Sequence, residues 1–66
     1  MPLVSVIVPT FNRAYCIART VDSALAQTHS DLEIIIIDDG SSDGTDVLIH
    51  DRYGSEPRVR YLRQEN

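Results

Sequence analysis

Two neighbouring carboxylates, Asp38 and Asp39, follow directly on the apolar run Leu32-Glu33-Ile34-Ile35-Ile36-Ile37 and lead into the small residues Gly40-Ser41-Ser42-Asp43-Gly44. The four isoleucines are β-branched and do not alternate with polar residues, so they predict a strand with apolar cover on both faces. Such a strand delivers its two acids to the carboxyl edge of a sheet, where open α/β sheets bind ligands. A second chemistry-bearing stretch, Pro9-Thr10-Phe11-Asn12-Arg13, follows the other apolar run, Leu3-Val4-Ser5-Val6-Ile7-Val8. If both runs are neighbouring strands, the two stretches form one shallow site. Phe11 offers it a flat apolar surface, Thr10 and Asn12 hydrogen bonds, Arg13 a positive charge, and the two acids acceptor-only oxygens. Carboxylates accept from an imide N–H or from ribose hydroxyls, so this set of groups suits nucleoside recognition.

The elements that must position these groups can be read in chain order. Leu3 to Val8 predicts an interior strand closed by Pro9, which cannot donate to a ladder. Asn12 is a suitable N-cap for a helix from about Arg13 to Gln27, whose apolar positions Ala14, Ile17, Ala18, Val21, Ala24 and Leu25 fall on one helical face. Thr28-His29-Ser30-Asp31 is a polar connection to the isoleucine strand. After the acids, Ser41 or Ser42 can cap a second helix from about Thr45 to Tyr53, with Asp43 adding favourable charge near its start. Gly54-Ser55-Glu56-Pro57 breaks the chain, and Arg58-Val59-Arg60-Tyr61-Leu62 alternates as a more exposed strand does. The fold class expected is α/β: a β-α-β-α-β unit with a three-stranded parallel sheet in the order 3-2-1. Right-handed crossovers in one direction place both helices on one face and leave the other bare.

Composition narrows the partners. The chain has 66 residues, a net charge of −4, no lysine and six arginines, a balance that argues against nucleic acid as a partner. An apolar share of 42% and a charged share of 24% are those of a folded domain. A chain this short buries only about 60% of its unfolded surface, and here the strands expect cover on a face that the two helices do not reach. The expectation is therefore one partial domain over residues 1–66 that continues past Asn66 or pairs with another chain, a homo-oligomer through the uncovered sheet face included. Cys16 is alone and forms no internal disulfide, the start has no basic segment or long apolar core of a secretory signal, and a cytoplasmic location is expected. No apolar run approaches the roughly 18 residues that suggest a membrane span, while peripheral membrane association of a longer protein is compatible with the sequence.

Each candidate also has a plainer reading. Asp38 and Asp39 can end a strand and cap a turn, Asn12 can be a helix cap only, and Phe11 can pack beneath its loop. His29 and His50 have no partners at ligand or catalytic spacing, Cys16 carries no sign of reactivity, and Arg58 and Arg60 fit a solvated strand face. Three familiar motifs do not fit. Asp39-x-Ser41-x-Asp43-Gly44 begins like a calcium loop, but its twelfth position is His50 where a bidentate Glu is needed. The first strand is followed by Pro9-Thr10-Phe11-Asn12-Arg13-Ala14 and not by the glycine-rich turn of a dinucleotide fold. A phospho-receiver module, which pairs acids after its first strand, is a rival on local sequence, and a stand-alone oligomerising fragment is another.

Val4-Ser5-Val6-Ile7-Val8-Pro9-Thr10-Phe11-Asn12-Arg13, Ser23-Ala24-Leu25-Ala26-Gln27-Thr28, Glu33 through Thr45 and Arg58 through Asn66, in this order and spacing, resemble the amino-terminal segment of inverting family 2 glycosyltransferases. The resemblance covers essentially the whole chain. It implies the nucleotide-binding beginning of a GT-A type Rossmann-like fold, in which Pro9, Thr10, Phe11, Asn12, Arg13, Asp38, Asp39 and Gly40 hold the nucleoside of a sugar nucleotide, often UDP-linked. Asp39 is then the contact to the base, Thr10 and Phe11 lie beside it, and Asp38 sits behind, positioning the loop. The resemblance further implies an inverting transfer to an acceptor hydroxyl, with a carboxylate base and a divalent cation, Mg or Mn, on the diphosphate. The cation's Asp-x-Asp-like motif, the base and the acceptor site have no counterpart in this sequence, so no catalytic or metal-ligating residue is assigned in it and the chain alone is expected to be inactive.

Overall fold

The structure, a computed structural model, describes residues 3–27 and 31–65. Its elements are β1 (Val4–Thr10), α1 (Ile17–Leu25), β2 (Leu32–Asp38), α2 (Thr45–Tyr53) and β3 (Val59–Arg63). The strands form one parallel sheet in the order β1-β2-β3, with Val4 opposite Leu32, Thr10 opposite Asp38, Ile34 opposite Val59 and Asp38 opposite Arg63. This is the expected β-α-β-α-β topology. Its polar connection at residues 28–30, His29 included, lies outside the described residues.

Period-two alternation divides the isoleucines between two different environments. Leu32, Ile34 and Ile36 are buried, and Val8 joins them from β1; against them pack Ile17 and Val21 of α1 and Ile49 and Tyr53 of α2. Both helices thus cover one face. The Tyr53 hydroxyl donates to Asp22 Oδ1 at 2.6 Å and lies 3.1 Å from the Ala18 carbonyl, tying α2 to α1. On the opposite face Ile35 and Ile37 are half-buried, while Ile7 and Leu62 are 55% and 49% exposed. Full burial of an aliphatic side chain stabilises by roughly 1.5–3 kcal/mol, so the helix-covered face carries most of the cohesion. The weak apolar period of α2 has a simple cause: Val47 points to solvent, and only Ile49 and Tyr53 reach the core, with Leu48 at its margin.

Four local expectations are corrected. Pro9 lies inside β1, and β1 is an edge strand among the described residues, not an interior one. The Val4 N–H donates across to the Asp31 carbonyl at 2.7 Å, so even-numbered residues of β1 turn their N–H groups toward β2. The N–H that Pro9 lacks would therefore face the free edge, where nothing needs it. Next, α1 starts four residues later than its periodicity suggests, after a turn over residues 14–16 in which the Arg13 carbonyl accepts from the Cys16 and Ile17 N–H groups. Its N-cap is Cys16, not Asn12, whose φ of 52° belongs to a left-handed turn. The N-cap of α2 is Gly44, at φ 86°, and neither Ser41 nor Ser42 fills that role; the Asp43 carboxylate instead accepts from the Thr45 N–H at 3.2 Å. Last, β3 runs one residue later than expected.

The partition of the isoleucines gives the first prediction. Ile36→Val should lower the urea-unfolding free energy by about 1 kcal/mol, the usual cost of losing one buried methylene, while Ile35→Val should cost less than half as much. Equal losses in urea melts of the two variants would contradict the one-sided core.

Candidate functional site

The two acids, adjacent in sequence, part company at the strand tip because successive strand residues point to opposite faces. Asp38 turns toward the helices and is fully buried. Its Oδ1 accepts from the Ser41 N–H at 2.9 Å and the Ser41 hydroxyl at 2.6 Å, and its Oδ2 accepts from the Tyr61 hydroxyl of β3. Burial pushes the Asp38 pKa up, but the hydrogen bonds from Ser41 and Tyr61 outweigh it and leave the carboxyl below its ordinary value. Burial and the neighbouring carboxylate push the Tyr61 hydroxyl up to about 12.

Ser41 passes this anchoring on to the other loop. Its hydroxyl oxygen accepts from the Asn12 N–H at 2.8 Å, and the Asn12 side-chain oxygen accepts in return from the Ser42 N–H at 2.8 Å. Asp43 adds a third link by accepting from the Ala14 N–H at 3.0 Å. Asn12 adopts its left-handed backbone to make this reciprocal pair, a conformation that asparagine tolerates better than most residues. The loop after β2 turns at Gly40, φ 83°, and Gly44, positive-φ positions that glycine adopts without strain.

Backbone bonds extend the sheet past its last paired residues. The Asp39 N–H donates to the Thr10 carbonyl at 3.0 Å, and the Gln64 N–H to the Asp38 carbonyl at 2.8 Å. Asp39 thus lies between β1 and β3, facing away from the helices. There it lines an open cleft of about 410 Å³ together with Pro9, Thr10, Phe11, Arg13, Ile37 and Gln64. Pro9 and Ile37 give the cleft an apolar floor, Phe11 an aromatic wall that is 46% exposed, Arg13 a cation and Asp39 an acceptor.

Of the eight candidate residues, the cleft gathers Pro9, Thr10, Phe11, Arg13 and Asp39. Asn12, Asp38 and Gly40 do not line it; they build the loops that do. The Thr10 hydroxyl is a buried side-chain oxygen without a hydrogen-bond partner among the described residues, at the wall between this cleft and a second of about 440 Å³ along the free edge of β1 and α1. Cys16 lines that second cleft, half-buried, and His50 is exposed on α2. Gln64, which lines the cleft, and Tyr61, which donates to Asp38, are the residues of this region that sequence reasoning missed. Alternation along β3 could have assigned them to opposite faces, but only with the register against β2 in hand.

Among the described residues no group of three or more His, Cys, Asp or Glu side chains is placed to hold a metal ion. None of the helices among them is long and apolar enough to cross a membrane.

With this geometry established, comparison with known proteins is decisive at the level of family. The family model described as glycosyl transferase family 2 matches residues 5–66. The chain belongs to glycosyl transferase family 2. Its three parallel strands and two helices on one face are the beginning of that family's GT-A type Rossmann-like fold. A chondroitin synthase of Escherichia coli is 47% identical over 66 residues, which are 100% of this chain and 10% of that protein. A hyaluronan synthase of Pasteurella multocida is 50% identical over the same length, 7% of its own. A GalNAc(5)-diNAcBac-PP-undecaprenol beta-1,3-glucosyltransferase of Campylobacter jejuni is 41% identical over 66 residues, 21% of its length. The chain spans a tenth or less of the two synthases.

The Asp38–Tyr61 pair makes stability pH-dependent at both ends. A carboxyl whose folded pKa is depressed stabilises above its unfolded pKa, near 4, and the contribution is lost as pH falls through the lower folded value. A phenol whose folded pKa is raised from 10.0 to about 12 stabilises below pH 10 and loses that contribution as pH climbs toward 12. Urea melts across pH should therefore show Tyr61→Phe with a smaller alkaline loss than the parent chain between pH 10 and 12. Part of the loss should remain, because Tyr53 is raised as well, chiefly by burial and its bond to Asp22.

Proposed function

We propose that this chain is the donor-binding segment of a longer glycosyltransferase that moves a sugar from a nucleotide diphosphate sugar, UDP-linked, to an acceptor hydroxyl with inversion. The observation that supports this most is the convergence of Pro9, Thr10, Phe11, Arg13 and Asp39 on one cleft at the carboxyl edge of the sheet. An aromatic ring over an apolar floor suits a base, an acceptor-only carboxylate suits an imide N–H or a ribose hydroxyl, and a guanidinium suits phosphate. Membership of family 2, and relatives named as synthases and a glucosyltransferase, favour a sugar nucleotide over other ligands with the same groups.

Inversion needs a base to take the acceptor proton while the acceptor oxygen attacks the anomeric carbon, and the nucleotide diphosphate departs with the electrons of the broken bond. A divalent cation would neutralise that leaving group. The described residues offer no ligand set for such a cation, and the cleft holds only one acid. These parts belong to the remainder of the longer protein, as does any peripheral attachment to a membrane. A cytoplasmic location fits a donor of the sugar-nucleotide class.

The phospho-receiver reading has less support, since Asp38 is sealed behind three hydrogen bonds and Asp39 has no acidic neighbour in the cleft. Pairing of copies through the bare sheet face is favoured by exposed Ile7 and Leu62 and is compatible with nucleotide binding at the strand tips.

Adding UDP to the ¹⁵N-labelled chain should shift amide resonances of residues 9–13 and 39–40, and Asp39→Ala should weaken binding at least about tenfold, the cost of a lost hydrogen bond to a charged group. Absence of shifts, or equal affinity in the variant, would refute the nucleoside site. The purified chain should transfer no sugar from a UDP-sugar; measurable transfer would overturn its role as a donor-binding segment only.

A further inference from the structure

β3 is an outer strand of the sheet, and among the described residues nothing pairs with its second edge. The Gln64 N–H donates to the Asp38 carbonyl and the Arg58 carbonyl accepts from the Ile34 N–H, so even-numbered residues turn their backbone groups toward β2. The odd-numbered ones face outward. Val59 gives its N–H to the Glu56 carbonyl at 3.1 Å, which leaves Tyr61 and Arg63 as the residues of β3 with both an N–H and a carbonyl open on the free edge. Over this edge, on the helix side, a groove of about 160 Å³ runs between β3 and α2, with Ile49, Val59, Tyr61 and the acid Asp46 among its walls. Arg63 stands 4.0 Å from Asp46, and 45% and 51% of the two side chains are exposed, so this pair leaves both charges open to a further partner.

We propose that the free edge of β3 is a self-recognition surface: two copies of the chain pair their β3 strands antiparallel about a two-fold axis at Leu62. This joins two three-stranded sheets into one continuous sheet with the helices of both copies on the same side. In this register Tyr61 of each copy lies opposite Arg63 of the other, and each such pair exchanges both of its open N–H and carbonyl groups. Leu62, 49% exposed in the single chain, meets Leu62 of the other copy on the bare face. On the helix side the incoming Arg63 lies beside the Tyr61 ring, at the groove that carries Asp46, so acid and guanidinium are matched in both directions. Other two-fold registers are worse. An axis at Arg60 or Arg63 sets two arginines directly opposite each other, and an axis at Tyr61 points the Arg63 carbonyl at the Val59 N–H, which Glu56 already holds. The free edge of β1 is less suited to a second copy, because the groove beside it carries a cation, Arg13, and no acid.

Sedimentation equilibrium from about 10 µM to about 1 mM, the range that a small interface calls for, tests the pairing. The parent chain should dimerise. Arg63→Pro removes an edge N–H that β2 does not use, a change that edge strands accept, and should raise the dimer dissociation constant at least about tenfold. Ile7→Lys, on the bare face at the far strand, should leave that constant unchanged. A parent chain that stays monomeric throughout overturns the proposal. A dimer lost in Ile7→Lys but kept in Arg63→Pro overturns it too, since the copies then pack face to face. Cross-linking reads the register without depending on the proline variant. With Cys16→Ser as background, Leu62→Cys places two thiols in a non-hydrogen-bonded pair with Cα atoms about 4.5 Å apart, within disulfide reach, and should oxidise to a covalent dimer. Arg60→Cys and Gln64→Cys set their thiols about 14 Å from their symmetry mates and should not. Equal cross-linking at all three positions, or none at Leu62→Cys, overturns the register and the proposal with it.

Discussion

A carboxylate taken wholly out of water is the constraint on which the site depends. An unpartnered buried Asp38 would be heavily penalised, so the surroundings must supply donors. They come from Ser41 in the following loop and Tyr61 in the next strand. The chain therefore cannot bury this acid without folding the loop back and bringing β3 alongside. Ser41 then accepts from Asn12, and the loop after β1 is fixed in turn. One desolvated group thus couples three segments far apart in sequence, and Asp39 is left facing the cleft because its neighbour faces inward.

Legibility in the sequence followed the distance over which each feature is determined. The strands, the helices and the order of the sheet were readable because apolar period and crossover handedness are local or nearly so: Ile34 to Ile37 for β2, Ile17 and Val21 for α1. The gathering of Pro9 to Arg13 with Asp39 followed from parallel neighbours having their tips together. The caps were not readable. Asn12 has the composition of a helix cap, yet its side chain pairs with Ser42, thirty residues away, and Asp43 rather than a serine takes the Thr45 N–H. These exchanges are decided by which loop lies opposite, something propensity does not encode. Gln64 and Tyr61 were missed for the same reason, since their faces depend on register with β2.

The two faces of the sheet divide the work. The helix-covered face holds nearly all fully buried side chains and the anchored acid; the bare face holds the cleft floor at Pro9 and Ile37. Surface ion pairs such as Arg52 with Asp22 add little to either, being exposed and screened. Cohesion and the cleft lining therefore rest on different residues of the same strands, so a change at Ile37 alters the cleft floor and one at Ile36 the packed core. This separation permits the cleft to vary its chemistry while the layer beneath stays packed.

Pro9 has a consequence beyond its place in β1. On the free edge of that strand the available donors are the N–H groups of odd-numbered residues, Ser5 and Ile7, and the series stops where proline interrupts it. An incoming strand could zip along the lower part of the edge but would find no donor at the end nearest the cleft. The ring thus acts as a molecular fence post: it limits how far β-augmentation can climb and keeps the mouth of the cleft from being sealed by an added strand.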